Sequence, residues 1–480
     1  MNTKVAFNIL GLLVAINGLL MLLGLPFSIH TDGDDIEAII SASALSVSVG
    51  SVFWFFNRNC EKEIRKRDGY IIVTFGWILI SIFGALPYYW SGHIPSYTDA
   101  FFETMSGYTT TGASILNDIE SIPQGLLFWR SMTHWIGGMG IIVLTVAILP
   151  ILGIGGMQLF VAEVPGPTPD KLHPRIAVTA KRLWFIYVLF TFVETILLML
   201  GDMSFFDAIC HSMATLATGG FSTQNDSAAG FSPYIQYVIT FFMILAGINF
   251  SLHYHFLKGR LVKLWNNEEL RVYVYILGII TFISTLILAT NIGNPIEQSF
   301  RESIFMVVSI VTTTGFVTAD YTAWTPFLML TFFILMFLGG SAGSTSGGIK
   351  VIRILLLSKN SIVELKRLIH PNAMIPVRLN GKAIKEDIIS KILAFFLIYV
   401  IIFILGSLIM SLIGLDFLSA IGSVAATLGN IGPGIGSVGP VDNFAHIPTI
   451  GKWFLSFLML LGRLELFTIL VLFTPYFWRK

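Results

Sequence analysis

Four short segments contain the residues best suited to binding an ion, and each segment ends in a glycine. A ring of backbone carbonyls can replace the hydration shell of a cation, and threonine hydroxyls add further hard oxygen ligands. Glycine permits the backbone angles that turn carbonyls toward an axis and keeps side chains out of the way. The segments predict a monovalent-cation site, with these residues as ligands: Thr110, Thr111, Gly112, Thr218, Gly219, Gly220, Thr313, Thr314, Gly315, Asn430, Ile431 and Gly432.

Alignment on the four glycines aligns the residues that precede them. Six residues earlier a small residue recurs: Ser106, Ala214, Ser309 and Ala426. Thirteen residues earlier stand Asp99, Asp207, Glu302 and Ser419. Such regular spacing indicates four copies of one unit. We expect the acids to cap helix N-termini rather than to collect ions.

A single Thr-Thr-Thr-Gly segment has a simpler interpretation, since many helices end in a glycine cap. Four copies at matched positions favour strands that line an ion path. No nucleophile and base stand at a recognisable spacing, which argues against an enzyme. The glycines at 434, 436 and 439 follow no predicted strand, so we expect no nucleotide to bind this chain.

The composition places the chain in a membrane. Of its 480 residues 55% are hydrophobic and 12% are charged, and the mean hydropathy is +0.79. A water-soluble domain cannot bury so much apolar surface. The net charge of +1 gives no argument for nucleic acid, and the two cysteines suggest neither a disulfide nor a zinc framework.

Apolar segments of about 20 residues predict ten membrane spans. Two come first, and a pair of spans then brackets each glycine segment: 5–27, 36–56, 70–90, 128–152, 183–201, 233–257, 272–290, 325–358, 389–414 and 453–477. Within each pair, about a dozen residues before the glycine are too few to cross a bilayer and fit a re-entrant half-helix. The expected fold is an all-α polytopic membrane protein with four parallel helix–pore-loop–helix repeats around a central pore.

The expected units are an N-terminal pair of transmembrane helices at 1–68 and repeats at 69–160, 161–262, 263–380 and 381–480. Lysine and arginine cluster at 58–67, 171–182, 258–271, 359–385 and 479–480. With ten spans and both termini in the cytoplasm, all these clusters lie inside, as the positive-inside rule requires. The four glycine segments then face outward, with the same polarity in every repeat. Inverted repeats would alternate instead.

The chain resembles the Trk/Ktr/HKT superfamily of potassium transporters, and within it the bacterial TrkH-type subunits. The resemblance covers essentially the whole chain and rests on the glycine segments and on the motifs at 135–140, 153–158, 343–353 and 462–465. It implies K⁺ transport across the bacterial inner membrane through one pore per subunit, with the twelve residues above supplying the oxygens. It further implies a homodimer and a cytoplasmic, nucleotide-binding regulatory subunit of the TrkA type.

The glycine segments are shorter than the filter of potassium channels. Each has one strict glycine and no Tyr-Gly continuation, so we expect fewer coordination layers, weaker discrimination against Na⁺ and good passage of Rb⁺. The fourth segment has no threonine run, which predicts an asymmetric pore. The alternative function is a Na⁺- or H⁺-coupled, or weakly selective, monovalent cation transporter.

A glycine-rich segment at 339–348 interrupts the second helix of the third repeat. Five glycines in ten residues disfavour a regular helix, although small residues also serve helix packing. We interpret the segment as a mobile loop, and the resemblance places it just below the filter. The gate residues are Gly339, Gly340, Gly343, Ser344, Thr345, Gly347, Gly348, Lys350 and Arg463. For Lys350 the alternative is an anchor at the cytoplasmic interface.

Arg463 lies deep within the last predicted span, where a charge is costly and usually functional. Pairing with Glu465 is disfavoured, because residues two apart on a helix face opposite ways. We expect Arg463 to face the pore below the filter and to set an electrostatic barrier to cations.

Overall fold

The computed structural model describes residues 3–59, 66–140 and 176–479, with the backbone alone for residues 66, 176–180 and 292. The described chain is mostly helical. Two antiparallel helices precede the repeats, together with a short continuation of the first: α1 Thr3–Met21, α2 Leu25–His30 and α3 Ile36–Phe56. Helices α1 and α3 approach closely at Gly11 and Gly50, where an added Cβ would contact the facing backbone. Small residues allow this close packing of membrane helices.

Each repeat contains an outer helix, a buried pore helix and an inner helix. The first repeat is α4 Lys66–Gly84, α5 Leu86–Trp90, pore helix α6 Tyr97–Tyr108 and α7 Gln124–Gly138. The second is α8 Ile176–Met199, pore helix α9 Phe205–Ala217, α10 Pro233–Ala246 and α11 Phe250–Leu257, followed by α12 Leu261–Trp265.

The third repeat contains a small parallel strand pair in its inner helix. It is α13 Glu268–Ile287, pore helix α14 Ile296–Val311, α15 Pro326–Leu335, β1 Leu338–Gly339, β2 Ile349–Lys350 and α16 Val351–Ile369. An antiparallel hairpin of β3 Arg378–Leu379 and β4 Lys382–Ala383 follows. The fourth is α17 Glu386–Ile413, pore helix α18 Phe417–Leu428, α19 Thr449–Arg463, α20 Phe467–Leu470 and α21 Pro475–Trp478.

Six helices of the described residues are long and apolar enough to cross a membrane, or eight if two bent pairs each count as one span. Two of the ten predicted spans make up the difference. The span at 128–152 lies partly outside the described residues, as do Cys60, the motif at 153–158 and the boundary at residue 160. The span at 325–358 is divided by residues 336–350. The unit boundaries stay predictions.

The inner helices of the second, third and fourth repeats are all broken. The chain bends by 102° between α10 and α11 and by 109° after α19. Asn249 caps α11 through a bond to the Ser251 N–H, and Leu466 sits at φ +56° in a tight turn that the Phe467 N–H closes on the Glu465 carbonyl. The sequence predicted a break in the third repeat alone, because only there does the break coincide with a run of glycines.

The pore helices form the most buried part of the molecule. Asp99 and Asp207 lie in the first turns of α6 and α9 and are not themselves the caps, which are Ser96 and Ser204. The Ser204 hydroxyl accepts a bond from the Asp207 N–H and donates one to its carboxylate. The fourth repeat exchanges the two residue types, since Asp416 caps α18 at Ser419. Hydrogen bonds from the side chain and the N–H of Ser419 lower the pKa of Asp416. Glu302 is different because α14 begins at Ile296, so the capping role predicted for it is wrong.

Candidate ion filter and gate

The four pore helices end in the same way. In each, the N–H of the residue before the filter glycine donates to the carbonyl of the small residue five positions earlier: Thr111 to Ser106, Gly219 to Ala214, Thr314 to Ser309 and Ile431 to Ala426, at 2.8–2.9 Å. The residue before each donor is left-handed, with φ between +52° and +55°: Thr110, Thr218, Thr313 and Asn430. This is a Schellman closure. The interpretation of these segments as glycine-capped helix ends is therefore half right. Each helix is capped, but the glycine is not the capping residue.

We define the filter strands as 110–112, 218–220, 313–315 and 430–432. Every strand begins with its left-handed residue and ends with a glycine at φ +80° to +99°. The middle residue is not left-handed. This alternation of backbone conformation turns successive N–H groups to one side of the strand, as in anion-binding nests. The carbonyl groups then point to the opposite side, where they can face a cation.

The strands close into a ring. A Cβ added at Gly112 would collide with the Gly219 carbonyl oxygen, and one at Gly220 with the carbonyl oxygen of Thr314. The same collision would occur between Gly315 and Ile431, and between Gly432 and Thr111. Each strand therefore abuts the next in chain order, and the fourth abuts the first. The twelve predicted ligand residues all belong to this one ring, and none of them is exposed.

Side-chain contacts make the ring asymmetric. In the first and third repeats the threonine before the strand is hydrogen-bonded to the middle threonine of the strand, Thr109 to Thr111 at 2.8 Å and Thr312 to Thr314 at 2.7 Å. Asn430 takes the place of a threonine in the fourth strand, and its amide donates to the Thr111 hydroxyl and to the Met459 carbonyl. Among the described residues, the Thr110 hydroxyl and the Asn430 amide oxygen are buried without a hydrogen-bond partner. Both are oxygens of the type that binds a hard cation.

The predicted loop at 339–348, which we call the gate loop, lies against the inner ends of the strands. The Gly347 N–H donates to the Thr313 hydroxyl at 2.6 Å, and the Thr345 hydroxyl donates to the Leu216 carbonyl at 2.9 Å. A Cβ at Gly347 would contact the Gly429 carbonyl oxygen. The loop thus touches three of the four repeats. Ser344 bonds to the loop itself, at the Ser341 carbonyl.

Arg463 connects the gate loop to the remaining repeat. Its guanidinium donates to the Thr345 carbonyl at 2.7 Å and to the carbonyls of Gly137 and Gly138 at 2.6 and 3.0 Å. Glu465 forms its ion pair with Arg353 of α16. Arg463 therefore lies beneath the ring, beside the loop.

Lys350 is not an interfacial anchor, and that alternative is wrong. Its side chain is buried, and its ammonium group donates to the Ser346 carbonyl within the gate loop. The parallel pairing of β1 with β2 brings the two ends of the loop together, with Gly339 opposite Lys350. A Cβ added at Gly339 would collide with the Gly347 carbonyl oxygen, and Gly348 has a left-handed backbone with φ +62°.

Two residues that the sequence did not single out also hold the gate loop. Glu269, at the start of α13, accepts a bond of 2.7 Å from the Ala342 N–H. Asn249, at the break between α10 and α11, packs against Gly343, and the neighbouring Phe250 N–H donates to the Gly343 carbonyl at 3.0 Å. An acid at a helix start usually caps its own helix, so the sequence carried no signal for either contact.

Comparisons with known proteins agree with this architecture. Residues 35–480 match the family model TrkH, described as a cation transport protein. The chain is 45% identical to the Trk system potassium uptake proteins TrkH of Salmonella typhimurium and of Escherichia coli K12, with both chains fully covered in each case. It is 38% identical to the crystallised potassium transporter TrkH from Vibrio parahaemolyticus, with full coverage of both chains and a TM-score of 0.90. The chain belongs to the TrkH family.

Proposed function

We propose that the protein takes up K⁺ across the bacterial cytoplasmic membrane through the ring of filter strands. The observation that carries the proposal is the ring itself, in which four strands of matched backbone conformation abut in cyclic order. Irregular backbone at membrane depth is tolerated where it is buried or lines a water-filled path. The relatives named as potassium uptake proteins support K⁺ as the transported ion. The ion is the substrate, and its ligands are the twelve filter-strand residues.

The gate loop and Arg463 form the proposed gate. The loop contacts strand ends or pore helices of the second, third and fourth repeats, and Arg463 joins it to the first. A loop in this position obstructs the path below the ring, and the guanidinium adds a positive charge to the obstruction. Opening then requires these hydrogen bonds to break together.

The proposed setting is a homodimer in the inner membrane with both termini in the cytoplasm. The basic clusters lie on the side away from the filter ring in this topology, as the positive-inside rule expects. Control by a TrkA-like nucleotide-binding subunit on the cytoplasmic face is supported by the relatives that belong to Trk systems. The proposal assigns the nucleotide to that subunit and none to this chain.

Uptake of ⁸⁶Rb⁺ into liposomes that contain the purified protein tests the proposal. We expect uptake that K⁺ competes away at much lower concentration than Na⁺, because the relatives of this chain are named as potassium uptake proteins. Equal competition by the two ions would overturn K⁺ selectivity and favour the weakly selective transporter. Uptake that requires a Na⁺ or proton gradient would favour the coupled transporter instead. Wild-type protein with and without its regulatory subunit is compared.

Replacement of Glu269 by alanine tests the gate. The carboxylate accepts from the Ala342 N–H within the loop, and the loss of this bond to a charged group removes about 1.5 kcal/mol from the closed arrangement. We expect ⁸⁶Rb⁺ flux to rise about tenfold, and Glu269→Gln, which retains an oxygen acceptor, to restore most of the block. The neighbouring Glu268→Ala is the control, since Glu268 pairs with Lys359. Flux of Glu269→Ala equal to that of wild type would contradict the assignment.

A further inference from the structure

A buried ion pair lies behind the outer ends of the first two filter strands. Arg130 of α7 contacts Glu103 of pore helix α6 at 2.7 Å, and the two side chains are 3% and 0% exposed. Two charges taken out of water are costly unless further hydrogen bonds satisfy them. The further hydrogen bonds of Arg130 and Glu103 therefore show which parts of the chain the pair holds in place.

Those contacts go to residues within three positions after the filter glycines Gly112 and Gly220. The Glu103 carboxylate accepts bonds from the Ser114 hydroxyl and the Ile115 N–H, both at 2.9 Å. The Arg130 guanidinium donates to the Ser222 carbonyl at 2.8 Å and to the Ser114 hydroxyl at 3.1 Å. It also lies 3.5 Å from the centre of the Phe221 ring. Ser114 and Ser222 each stand two residues after their glycine, so one ion pair joins the outer ends of strands one and two.

The same pore-helix position supports the strand in the second and third repeats without a charge pair, and not in the fourth. Nine residues before the filter glycine stand Glu103, His211, Met306 and Ser423. His211 contacts the Ser222 hydroxyl at 3.0 Å, and the Met306 sulfur accepts from the Thr318 N–H at 3.4 Å. Ser423 instead bonds within its own helix, at Ala420. The fourth strand is held from outside by the Tyr321 hydroxyl, which donates to the Gly434 carbonyl at 2.5 Å.

These supports differ in stiffness. Charge-assisted hydrogen bonds in a buried site are about twice as strong as neutral ones, whereas a sulfur acceptor is weak. The ring is consequently held most firmly at strands one and two. Because Na⁺ is smaller than K⁺, it binds well only if the oxygens can move inward, and a stiff frame opposes that movement.

We propose that Glu103 and Arg130 are positioning residues that fix the first two filter strands and thereby set the discrimination of K⁺ against Na⁺. The inference rests on the proposed function, since it assigns part of the selectivity of that same ring. The pair is neutral as a whole, so it acts through the geometry of the strands and not by attracting cations.

The test is the ratio of Na⁺ to K⁺ concentrations that halve ⁸⁶Rb⁺ uptake in liposomes, a ratio that does not depend on how much protein is folded. We expect Arg130→Gln and Glu103→Gln to lower this ratio about tenfold. Arg130→Lys keeps the charge but not the fork of donors, and should give an intermediate ratio. Ser114→Ala removes one of the groups that the pair holds and leaves both charges in place, and it should lower the ratio by about threefold.

The control is Arg301→Gln, which breaks an Arg–Glu pair on pore helix α14. That pair joins Arg301 to Glu297 at 3.0 Å, and Glu297 is largely exposed. We expect the Na⁺-to-K⁺ ratio of this variant to stay at the wild-type value. Wild-type ratios in all the variants would overturn the inference and leave the proposed function standing. A wild-type protein that itself fails to discriminate would instead refute the proposed function. If the charge variants do not fold, Ser114→Ala decides, and an unchanged ratio there overturns the inference.

Discussion

Gly220→Ala is expected to abolish selective K⁺ uptake while leaving the protein folded. Gly220 has φ +80°, and a Cβ on it would collide with the carbonyl oxygen of Thr314 in the next strand. The left-handed backbone alone costs an alanine about 1–2 kcal/mol. The collision adds to this cost by displacing an oxygen of the ring. We expect ⁸⁶Rb⁺ uptake in liposomes to fall at least about tenfold, with K⁺ and Na⁺ competing almost equally for what remains.

Alanine substitutions at two other glycines separate the effect of backbone strain from the effect of the collision. Gly381 lies in the β3–β4 hairpin with φ +77° and nothing within 4 Å of an added Cβ, so Gly381→Ala carries the same backbone strain without a collision. Gly278 of α13 is helical and equally open, so Gly278→Ala tests the substitution itself. We expect both variants to transport like wild type. Selective uptake by Gly220→Ala at normal rates would refute the assignment of the ring as the filter.

Arg463→Ala is expected to raise flux. The side chain donates three hydrogen bonds, to Thr345 in the gate loop and to Gly137 and Gly138 of the first repeat. A charged donor contributes about 1.5–3 kcal/mol per bond, so its loss releases the loop from one side and removes a positive charge below the ring. We expect ⁸⁶Rb⁺ flux per folded protein to rise about tenfold or more.

Arg463→Lys distinguishes the two contributions. Lysine retains the positive charge but has no planar fork of donors with which to reach carbonyls on two repeats. Flux close to that of Arg463→Ala would assign the effect to the lost hydrogen bonds, and flux close to wild type would assign it to charge. Arg353→Ala is the control for charge removal, because Arg353 pairs with Glu465 and not with the loop. Unchanged or lower flux in Arg463→Ala at equal expression would contradict its role in the gate.

The repeated unit was predictable because its signals are local. In each Schellman closure the acceptor carbonyl belongs to the small residue, and the ring has a glycine where two strands touch, so both features recur at a constant spacing along the chain. Glu302 shows the limit of this reasoning. It shares its position with Asp99 and Asp207, but its helix begins earlier, and the same alignment therefore assigned it the wrong role.

The broken inner helices show a different limit. Residues 233–257 are apolar enough for one continuous span, and nothing in their composition marks a bend of 102°. The break is stabilised by contacts with another repeat: the Gly247 carbonyl accepts from the Ser341 N–H, and the Phe250 N–H donates to Gly343. A helix gives up its own backbone hydrogen bonds there only because the gate loop supplies others.

The sequence by itself predicted the membrane setting, the four matched glycine segments, an irregular segment at 339–348 and a charge at Arg463 deep in the last span, since each depends on composition or on a spacing along the chain. Only the tertiary structure decided which groups satisfy one another across repeats. Lys350 bonds into the loop, Glu269 holds the loop from another helix, and Arg130 spans two strands. The physical reason is that a buried polar group must find a partner wherever the fold places one. The spacing of residues along the chain does not predict which residue that partner is.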